Sequence, residues 1–335
     1  MYDRYLVTGA SGFLGRAVLA ELLKRGASVR ALVMRGDPRA DGVPAGAEKA
    51  FGDVCDPDSL GDFFEGAGRN TCVIHCAGVV SVASHPGEMI RRVNVGGTEN
   101  VLRQCKTHGI RRFVYVSSVH AIPEKPAGKE ITEDAVFSPE LVRGDYAKSK
   151  AEATALVFAE AGRGLDASVV FPSGIIGPGD TGGGSITFLL RSFIEGKLRT
   201  AVRGGYDFVD VRDVACGIVS CADRGRPGKG YILSGHYASI SSILRSAGCA
   251  LNVSRRVRCL PLFLAKLAAP FFERRSLRRG QPLYFTPYSV AVLGSNCLFS
   301  RSAAAEAFGY HPRSVRSSIR DAVLWLKETG APRRD

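Results

Sequence analysis

An α/β fold with a doubly wound parallel sheet is the fold class that this sequence of 335 residues predicts. Short apolar runs alternate with helical patterns over the first half of the chain, which is typical of βαβ units whose parallel strands are covered on both faces. A glycine-rich turn separates the first apolar run from the first helical pattern. The alternation weakens after residue 172, so we expect a smaller, mixed C-terminal part that binds substrate.

The individual elements follow from these patterns in chain order. The apolar runs predict strands at 5–8, 28–33, 71–75, 112–116, 166–171 and 230–233. The helical patterns predict helices at 13–25, 89–109 and 147–162. Gly26 is the expected C-cap of the first helix, and the glycine-rich residues 177–185 are expected to form a flexible loop.

Composition excludes several classes of protein. Charged residues make up 23% and hydrophobic residues 45% of the chain, which are ordinary globular values and exclude a wholly disordered chain. No run of 18 apolar residues occurs, so a transmembrane helix is not expected. The chain enters a strand at once without a basic and apolar leader, which predicts a cytoplasmic protein. The nine cysteines are odd in number and never spaced C-x-x-C, so we expect free thiols and no metal site.

The net charge of +13 is concentrated in the C-terminal third. Residues 245–335 contain 16 Lys/Arg and 5 Asp/Glu, a balance of +11, and the first 244 residues carry only +2. Nucleic acid, an anionic membrane and a phosphorylated ligand are all candidate partners, although a solvated basic face is the favoured interpretation. Aromatic residues are too sparse among these basic residues for a stacking platform, which argues against nucleic acid.

Residues 259–279 are first apolar and then strongly basic. Their apolar part is too short to span a membrane, and Pro261 and Pro270 bracket it. We expect a cap helix over a substrate pocket. A helix that lies on a membrane surface, and so makes a peripheral membrane contact, is the alternative.

The turn T-G-A-S-G-F-L-G at 8–15 has the arrangement of a dinucleotide-binding turn. Gly9 permits the tight turn, Gly12 lets the backbone approach a pyrophosphate, and Gly15 lets the helix pack on the strand. The helix that follows offers free N–H groups and a positive dipole end to the phosphates. A Rossmann domain is therefore expected, with a cofactor in contact with Ser11, Phe13 and Leu14 besides the glycines.

The residues after the second strand bear on the choice of cofactor. No carboxylate closes that strand at Val33, and Arg35 follows instead, where it can pair with a 2′-phosphate. NADP is therefore the expected cofactor. Asp37 lies two residues further on and can bind a free ribose hydroxyl, so NAD is the alternative.

Two further chain segments are placed to contact the cofactor. Asp53 can accept a hydrogen bond from an adenine amino group, although an aspartate that caps a turn is the alternative. Cys76, Ala77 and Gly78 follow the strand at 71–75, and their small side chains let the backbone pass close to a cofactor. His75 is expected to be structural.

Tyr146 and Lys150 are four residues apart at the start of a helix and so share one face. An ammonium near a phenol favours the phenolate, so we expect Lys150 to lower the pKa of Tyr146 and fit it for proton transfer. Ser117 and Ser118 end the strand at 112–116, at the sheet edge where ligands bind in open α/β folds. A serine there can hold the reacting oxygen beside the tyrosine.

Taken together, these motifs resemble the extended short-chain dehydrogenase/reductase family over nearly the whole chain. The segments that carry the resemblance are 8–15, G-D-V at 52–54, H-C-A-G at 75–78, N-V-G-G-T-E-N-V-L at 94–102, V-S-S at 116–118, Y-A-K-S-K at 146–150, P-S-G-I-I-G-P at 172–178 and D-F-V-D-V-R-D-V-A at 207–215. The resemblance implies a catalytic triad of Ser118, Tyr146 and Lys150, with Ser117 as the alternative serine. It also implies that the cofactor is contacted by Lys150 and Tyr146 and by Val54, Pro172 and Ile175.

The C-terminal half most resembles the dihydroflavonol reductase and 3β-hydroxysteroid dehydrogenase branch. The segments concerned are 204–215, 231–235, 282–290 and 308–312. Phe171 departs from the nucleotide-sugar members, which usually carry arginine before this proline. The apolar run at 260–272, with Phe285 and Tyr288, suits a hydrophobic alcohol or ketone, although core packing is an equal alternative.

The expected function is reversible hydride transfer between a secondary alcohol and a ketone on a hydrophobic substrate of the 3β-hydroxysteroid or dihydroflavonol type. A nucleotide-sugar epimerase or dehydratase with bound NAD is the first alternative, and a non-catalytic cofactor sensor or membrane-docked protein is the second. We expect the NAD(P)-binding domain at 1–172 and 208–236, and the cap region at 173–207 and 237–335. The family also implies a homodimer, with the helices at 89–109 and 147–162 as candidates for the contact.

Overall fold

The structure is a computed structural model that describes residues 2–83 and 87–330. In the described residues its strands are β1 Arg4–Thr8, β2 Val29–Val33, β3 Glu48–Phe51, β4 Thr71–His75, β5 Arg112–Val116, β6 Asp166–Pro172, β7 Gly174–Ile176, β8 Thr200–Val202, β9 Gly205–Asp210, β10 Gly230–Leu233, β11 His236–Ser239 and β12 Arg258–Leu260. Its α-helices are α1 Phe13–Lys24, α2 Gly61–Phe64, α3 Met89–Arg91, α4 Gly97–Thr107, α5 Asp145–Gly162, α6 Ser185–Ile194, α7 Val211–Arg224, α8 Ile240–Leu251, α9 Leu262–Arg278, α10 Pro287–Val292, α11 Ser302–Phe308 and α12 Val315–Glu328.

The main sheet has seven parallel strands in the order β10-β6-β5-β4-β1-β2-β3. The strand order reverses between β1 and β4, so a crevice opens at their carboxyl ends, where ligands bind in such sheets. A three-stranded mixed sheet, β11-β9-β7, and a two-stranded sheet, β12-β8, lie outside it. The Rossmann α/β fold with a smaller mixed part is therefore confirmed, while the domain boundaries stay a prediction.

The core has one layer on each face of the main sheet. Leu6 belongs to the cluster on one face and Val7 to the cluster on the other, because successive side chains of a strand point to opposite faces. All five residues of β4 and of β5 are buried. Fully buried central strands explain why these segments read as continuous apolar runs in the sequence.

The helix predicted at 89–109 is regular except for one π-helical turn at Arg92–Gly96. Such a turn often marks a functional position. It holds Asn94, whose side chain accepts from Val79 N–H at 2.7 Å and donates to Ser149 Oγ at 2.9 Å. Asn94 thus ties the chain after β4 to α5, which carries the candidate catalytic tyrosine.

The apolar part of 259–279 forms α9, and most of its large side chains face outward. The exposed fractions of Phe263, Leu267 and Phe271 are 64%, 76% and 66%. The buried residues of α9 are Ala265, Ala269 and Glu273, and the two alanines pack against Val290 and its neighbours. In the part of the chain that the structure describes, no helix is long and apolar enough to cross a membrane.

Candidate active site

The glycine turn is packed so closely that two of its positions accept no side chain. Gly9 has a φ of +64°, and a Cβ there would lie 2.7 Å from the backbone nitrogen of Ala77. A Cβ on Gly15 would lie 2.1 Å from the carbonyl oxygen of Gly9. The turn, α1 and the end of β4 are therefore in backbone contact, as the sequence pattern requires.

The N-terminus of α1 is open to an anion. Gly12 is its N-cap and supplies no side chain to the first N–H groups, and the first turn contains no acidic residue. The amides of Phe13, Leu14 and Gly15 have no acceptor within the helix, because the first turn never has one. These donors and the positive end of the helix dipole fit a pyrophosphate at this point.

The carboxylate of Asp37 lies against the glycine turn, and it already has hydrogen-bond partners. Ser11 Oγ donates to it at 2.6 Å, and Arg39 donates through Nε at 3.0 Å. Burial raises the pKa of Asp37, but the hydrogen bonds from Arg39 and Ser11 outweigh burial and hold the pKa at about 2. Arg35 is exposed, with its guanidinium 5.6 Å from the ring centre of Phe51. After β2, the guanidinium of Arg35 is thus accessible to a ligand, whereas the carboxylate of Asp37 is hydrogen-bonded within the protein.

Asp53 closes a turn in the structure. Its Oδ1 accepts from the N–H of Cys55 at 2.9 Å, and its own N–H donates to Ser59 Oγ at 2.9 Å. Val54 is buried, with its side chain close to Gly97. Asp53 therefore caps a turn, which was the alternative to its expected contact with adenine. A contact from Asp53 or Val54 to a cofactor stays a prediction.

His75 is a buried structural side chain. Thr98 Oγ1 donates to Asn94 O, so it accepts from Nε2 of His75 at 3.1 Å, and Nδ1 accepts from Thr8 Oγ1 at 2.7 Å. Burial, with a smaller contribution from the charge of Lys150, lowers the pKa of His75 to about 3. Thr8 in turn accepts from the N–H of Ala77 at 3.1 Å. A neutral histidine therefore helps to hold the end of β4 against the glycine turn.

Cys76, Ala77 and Gly78 continue from β4 along the edge of the crevice. Ala77 touches the glycine turn, and a Cβ on Gly78 would lie 3.3 Å from Lys150 Nζ. Burial raises the pKa of the Cys76 thiol to about 12, so it is a neutral side chain. This segment therefore joins the phosphate end of the candidate site to its lysine.

Ser118 and Tyr146 are brought together, whereas Ser117 faces another way. A hydrogen bond between Ser118 and Tyr146 lowers the pKa of the phenol by less than burial raises it. Ser117 Oγ lies 2.7 Å from Thr154 Oγ1, beneath α5. Because neighbouring residues of an extended chain point to opposite sides, Ser118 faces Tyr146 and Ser117 does not.

Lys150 lies on the same helical face as Tyr146, but its ammonium is bound elsewhere. Its Nζ donates to Val116 O at 2.8 Å and to Tyr115 Oη at 3.3 Å. Burial lowers the pKa of Lys150 to about 8. The expectation that this lysine lowers the pKa of Tyr146 is wrong for the protein alone: that pKa is raised, because burial of the phenol dominates.

An aromatic cluster lies beside Tyr146, with His120 at its centre. His120 lies edge-on to Tyr146 at 6.0 Å, stacks on Tyr206 at 5.7 Å, and has its Nδ1 3.2 Å from the hydroxyl of Tyr288. Burial lowers the pKa of His120 to about 4, so the imidazole is neutral at physiological pH. The sequence analysis singled out Tyr288 but not His120 or Tyr206. Tyr206 lies within the segment 204–215 that carries the resemblance, and His120 follows Ser118 by two residues.

Pro172 and Ile175 lie beyond the end of β6. Pro172 pairs with Leu233 at the edge of the main sheet, and Ile175 pairs with Val209 in the small mixed sheet. Phe171 is fully buried and stacks on Phe137 at 5.3 Å. Phe171 is therefore a core residue, and the cofactor contacts assigned to Pro172 and Ile175 stay predictions.

Comparison with known proteins agrees with this arrangement. The sequence model described as "NAD dependent epimerase/dehydratase family" matches residues 5–233, which include the glycine turn and the candidate triad. The chain belongs to that family. It is an enzyme of the extended short-chain dehydrogenase/reductase type, a group of NAD-dependent oxidoreductases and epimerases that act on CH–OH groups.

Several relatives of this family member match over almost their whole length. "Sterol demethylase protein B" of Methylococcus capsulatus is 33% identical and covers 97% of this chain and 98% of its own. "Putative dihydroflavonol 4-reductase" of a Synechocystis species is 31% identical, with 98% and 96% covered. The crystal structure of gox2253 is 29% identical, covers 99% of this chain and 100% of its own, and has a TM-score of 0.84. A UDP-glucose 4-epimerase structure is 17% identical with a TM-score of 0.78, which supports the fold alone.

Proposed function

We propose that this family member interconverts a secondary alcohol and a ketone on a hydrophobic substrate, with Tyr146 as the acid/base. The observation that carries the proposal is the aromatic cluster beside that tyrosine, in which His120 contacts Tyr146 and packs on Tyr206 and Tyr288. Aromatic faces favour an apolar substrate, and a neutral imidazole adds no charge to attract a diphosphate. A nucleotide-sugar substrate would instead need cationic partners for its phosphates.

Ser118 and Tyr146 have different roles in the proposed proton transfer. The side chains of Ser118 and Tyr146 are hydrogen-bonded to each other, so their hydroxyls are close enough to share one substrate oxygen. In the reducing direction Tyr146 donates its proton to that oxygen, and in the oxidising direction it removes the proton from the alcohol. A bound nicotinamide supplies or accepts the hydride.

Lys150 is suited to holding the cofactor and restoring the tyrosine proton. Val116 and Tyr115 engage two of its three N–H bonds, and its ammonium borders Gly78 on the crevice side. We assign its third N–H bond to the nicotinamide ribose. With a pKa of about 8, Lys150 can exchange protons near neutral pH, so it would return a proton to the phenol while it holds a bound nicotinamide cofactor.

The names of relatives support a large apolar substrate. One is "Sterol demethylase protein B", and a mouse relative 26% identical over 330 residues is "Sterol-4-alpha-carboxylate 3-dehydrogenase, decarboxylating". Both names describe sterol chemistry in those proteins. A 3β-hydroxysteroid or related polycyclic alcohol is accordingly the substrate class that we propose, with a dihydroflavonol second.

A screen of two cofactors against three substrate classes tests the proposal. Reduced nicotinamide is followed while 3β-hydroxysteroids and dihydroflavonols are each offered with NAD and with NADP. When UDP-sugars are offered, the sugar product is analysed by chromatography, because an epimerase returns the hydride to its sugar and leaves no net reduced nicotinamide. Turnover of a steroid or a dihydroflavonol is the expected result. Turnover of a UDP-sugar alone, by protein that retains NAD through purification, would establish the epimerase alternative instead.

We propose NADP as the preferred cofactor because of the residues after β2. Arg35 is accessible, and Asp37, the carboxylate that could select a free ribose hydroxyl, is held by Ser11 and Arg39. Replacing Arg35→Gln removes the proposed partner of the 2′-phosphate. A charge-assisted hydrogen bond contributes about 1.5–3 kcal/mol, so we expect the Kd for NADP to rise about 10- to 100-fold. Calorimetric titration of both cofactors measures it.

The Kd for NAD is the internal control in that titration, because NAD lacks the phosphate. It should change by less than about twofold, since the adenosine and pyrophosphate contacts are retained. An equal loss of affinity for both cofactors would mean that Arg35 supports the fold of the turn, and would remove the argument for NADP.

A further inference from the structure

The outward face of α9 is apolar over its first three turns. Phe263, Leu267 and Phe271 recur every four residues and so form one stripe, with Leu264 beside it. The exposed fractions along the stripe are 64%, 76% and 66%, and that of Leu264 is 42%. Single exposed apolar residues are common, but a contiguous stripe of this kind marks an interaction surface. We call these four residues the α9 stripe.

The charges around the α9 stripe are almost all positive. Residues 255–279 contain eight Lys/Arg and one Asp/Glu, and that one acid, Glu273, is buried. Arg274 and Arg278 lie three and seven residues after Phe271, so they extend the same face beyond the stripe. Arg275 and Arg279 are exposed at the same end of the helix. Together these four arginines form the basic end of α9.

We propose that α9 is a membrane-docking helix, which lies flat on an anionic lipid bilayer with the α9 stripe in the acyl boundary and the basic end at the headgroups. An apolar face with adjoining Lys/Arg is the arrangement that binds such interfaces. Arginine side chains can keep their aliphatic stems in the apolar layer and their guanidinium groups among the phosphates. The helix is too polar to cross the bilayer, so it lies on the surface.

Charge complementarity favours a lipid surface over the other occupants of this face. A second copy docked in parallel would bring the two basic ends together, and one docked antiparallel would bury arginines against the partner's stripe; both arrangements are costly. Nucleic acid would pair with the arginines but leave Leu267 and Phe263 exposed. Of these three occupants, the anionic bilayer alone satisfies both the stripe and the basic end.

The position of α9 places the docked surface close to the candidate catalytic tyrosine. Its inward residues Ala265 and Ala269 pack on Val290 of α10. The same short helix carries Tyr288, whose hydroxyl is 3.2 Å from His120, and His120 contacts Tyr146. A lipid-soluble substrate could therefore reach the site from the membrane without entering bulk water.

Vesicle co-sedimentation of the full chain tests the proposal without measuring turnover, so its failure is distinct from failure of the proposed reaction. Vesicles of phosphatidylcholine alone are compared with vesicles that also contain phosphatidylserine. We expect the chain to sediment with the mixed vesicles and to remain largely in solution with the neutral ones. Raising the ionic strength from about 0.1 M to about 1 M shortens the Debye length from about 10 Å to about 3 Å and should weaken binding.

Two sets of variants separate the stripe from the basic end. Leu267→Ser with Phe271→Ser should lower the partition coefficient at least about tenfold, because two large apolar side chains no longer enter the bilayer. Arg274→Gln with Arg275→Gln and Arg278→Gln should lower it roughly 100-fold, since each Lys/Arg near an anionic surface contributes about fivefold. All five side chains are exposed, so the fold should be retained.

Matched controls remove equivalent groups elsewhere. Val136→Ser with Leu141→Ser replaces two exposed apolar residues, and Arg69→Gln with Arg111→Gln and Arg316→Gln removes three exposed charges. Both controls should bind mixed vesicles like the wild type. The proposal is overturned if the wild type stays in solution with mixed vesicles, or if the controls and the α9 variants lose binding equally. A dimer in sedimentation velocity that Leu267→Ser with Phe271→Ser abolishes, without vesicle binding, would reassign the face to a second copy and also overturn it.

Discussion

Tyr146→Phe is expected to lower kcat about 10²- to 10⁴-fold while the protein remains folded and binds its cofactor. The substitution deletes only the phenolic oxygen, which is the group that we propose exchanges a proton with the substrate. The ring stays against His120, so the aromatic cluster keeps its packing. Loss of one hydrogen bond to Ser118 should cost only about 1 kcal/mol of the free energy of unfolding. Steady-state turnover and calorimetric cofactor titration measure the two effects separately.

Three further substitutions locate that effect. Tyr237→Phe removes the same oxygen from an exposed tyrosine and should leave kcat unchanged. Ser118→Ala should lower kcat because this serine meets Tyr146, whereas Ser117→Ala should affect only stability because its hydroxyl meets Thr154. A Tyr146→Phe protein with a near wild-type kcat would show that another group moves the proton.

Gly9→Ala is expected to disrupt both the fold and the binding of cofactor. Gly9 has a φ of +64°, and an added Cβ would lie 2.7 Å from Ala77 N, 2.8 Å from Ala77 Cα and 2.8 Å from Cys76 C. These are backbone atoms of adjoining segments and cannot rotate away. The turn must therefore separate from the end of β4. We expect a cofactor Kd about 10²-fold higher, because the displaced turn loses hydrogen bonds to the charged pyrophosphate, each of which contributes about 1.5–3 kcal/mol.

Gly26→Ala is the matched control for this prediction. Gly26 has a φ of +73°, but a Cβ there would meet nothing within 4 Å. Both variants are therefore destabilised by placing alanine at a positive φ. Only Gly9→Ala also brings the new Cβ into contact with backbone atoms of Ala77 and Cys76. Urea unfolding should show Gly9→Ala less stable than Gly26→Ala by about 1–3 kcal/mol, the usual cost of overpacking. Equal stabilities and equal cofactor affinities would mean that the turn relaxes without separating from β4.

The glycine turn and the parallel sheet could be predicted because their signals are local. Close packing of a strand, a turn and a helix restricts particular positions to glycine, so G-x-x-G-x-x-G in that context leaves few alternatives. Buried parallel strands need continuous apolar runs, and the runs at 71–75 and 112–116 coincide with β4 and β5. Helical periodicity likewise predicts that Tyr146 and Lys150 share a face, four residues apart.

The surroundings of Tyr146 could not be predicted, because they come from distant parts of the chain. His120 and Tyr288 are 168 residues apart and meet only when α10 packs beside the sheet edge. Burial by these neighbours raises the pKa of Tyr146, against the expectation drawn from Lys150 alone. The choice between Ser118 and Ser117 also depends on packing. The two serines are adjacent and have the same sequence context, so they differ only in the residues that each side chain faces.

The sequence by itself determined the fold class, the family and the residue types that carry out the chemistry, because each depends on spacing within a few residues or on burial of a whole segment. Only the tertiary structure decided which serine meets Tyr146 and which residues surround it. It also decided that the large apolar residues of α9 face outward, since an apolar stripe of helical period is the same in a cap helix and a surface helix. The physical reason is that the hydrophobic effect has no direction. A sequence shows which side chains are apolar and would be stabilised by burial. The packing of elements that are distant in the chain determines which of these side chains are actually buried.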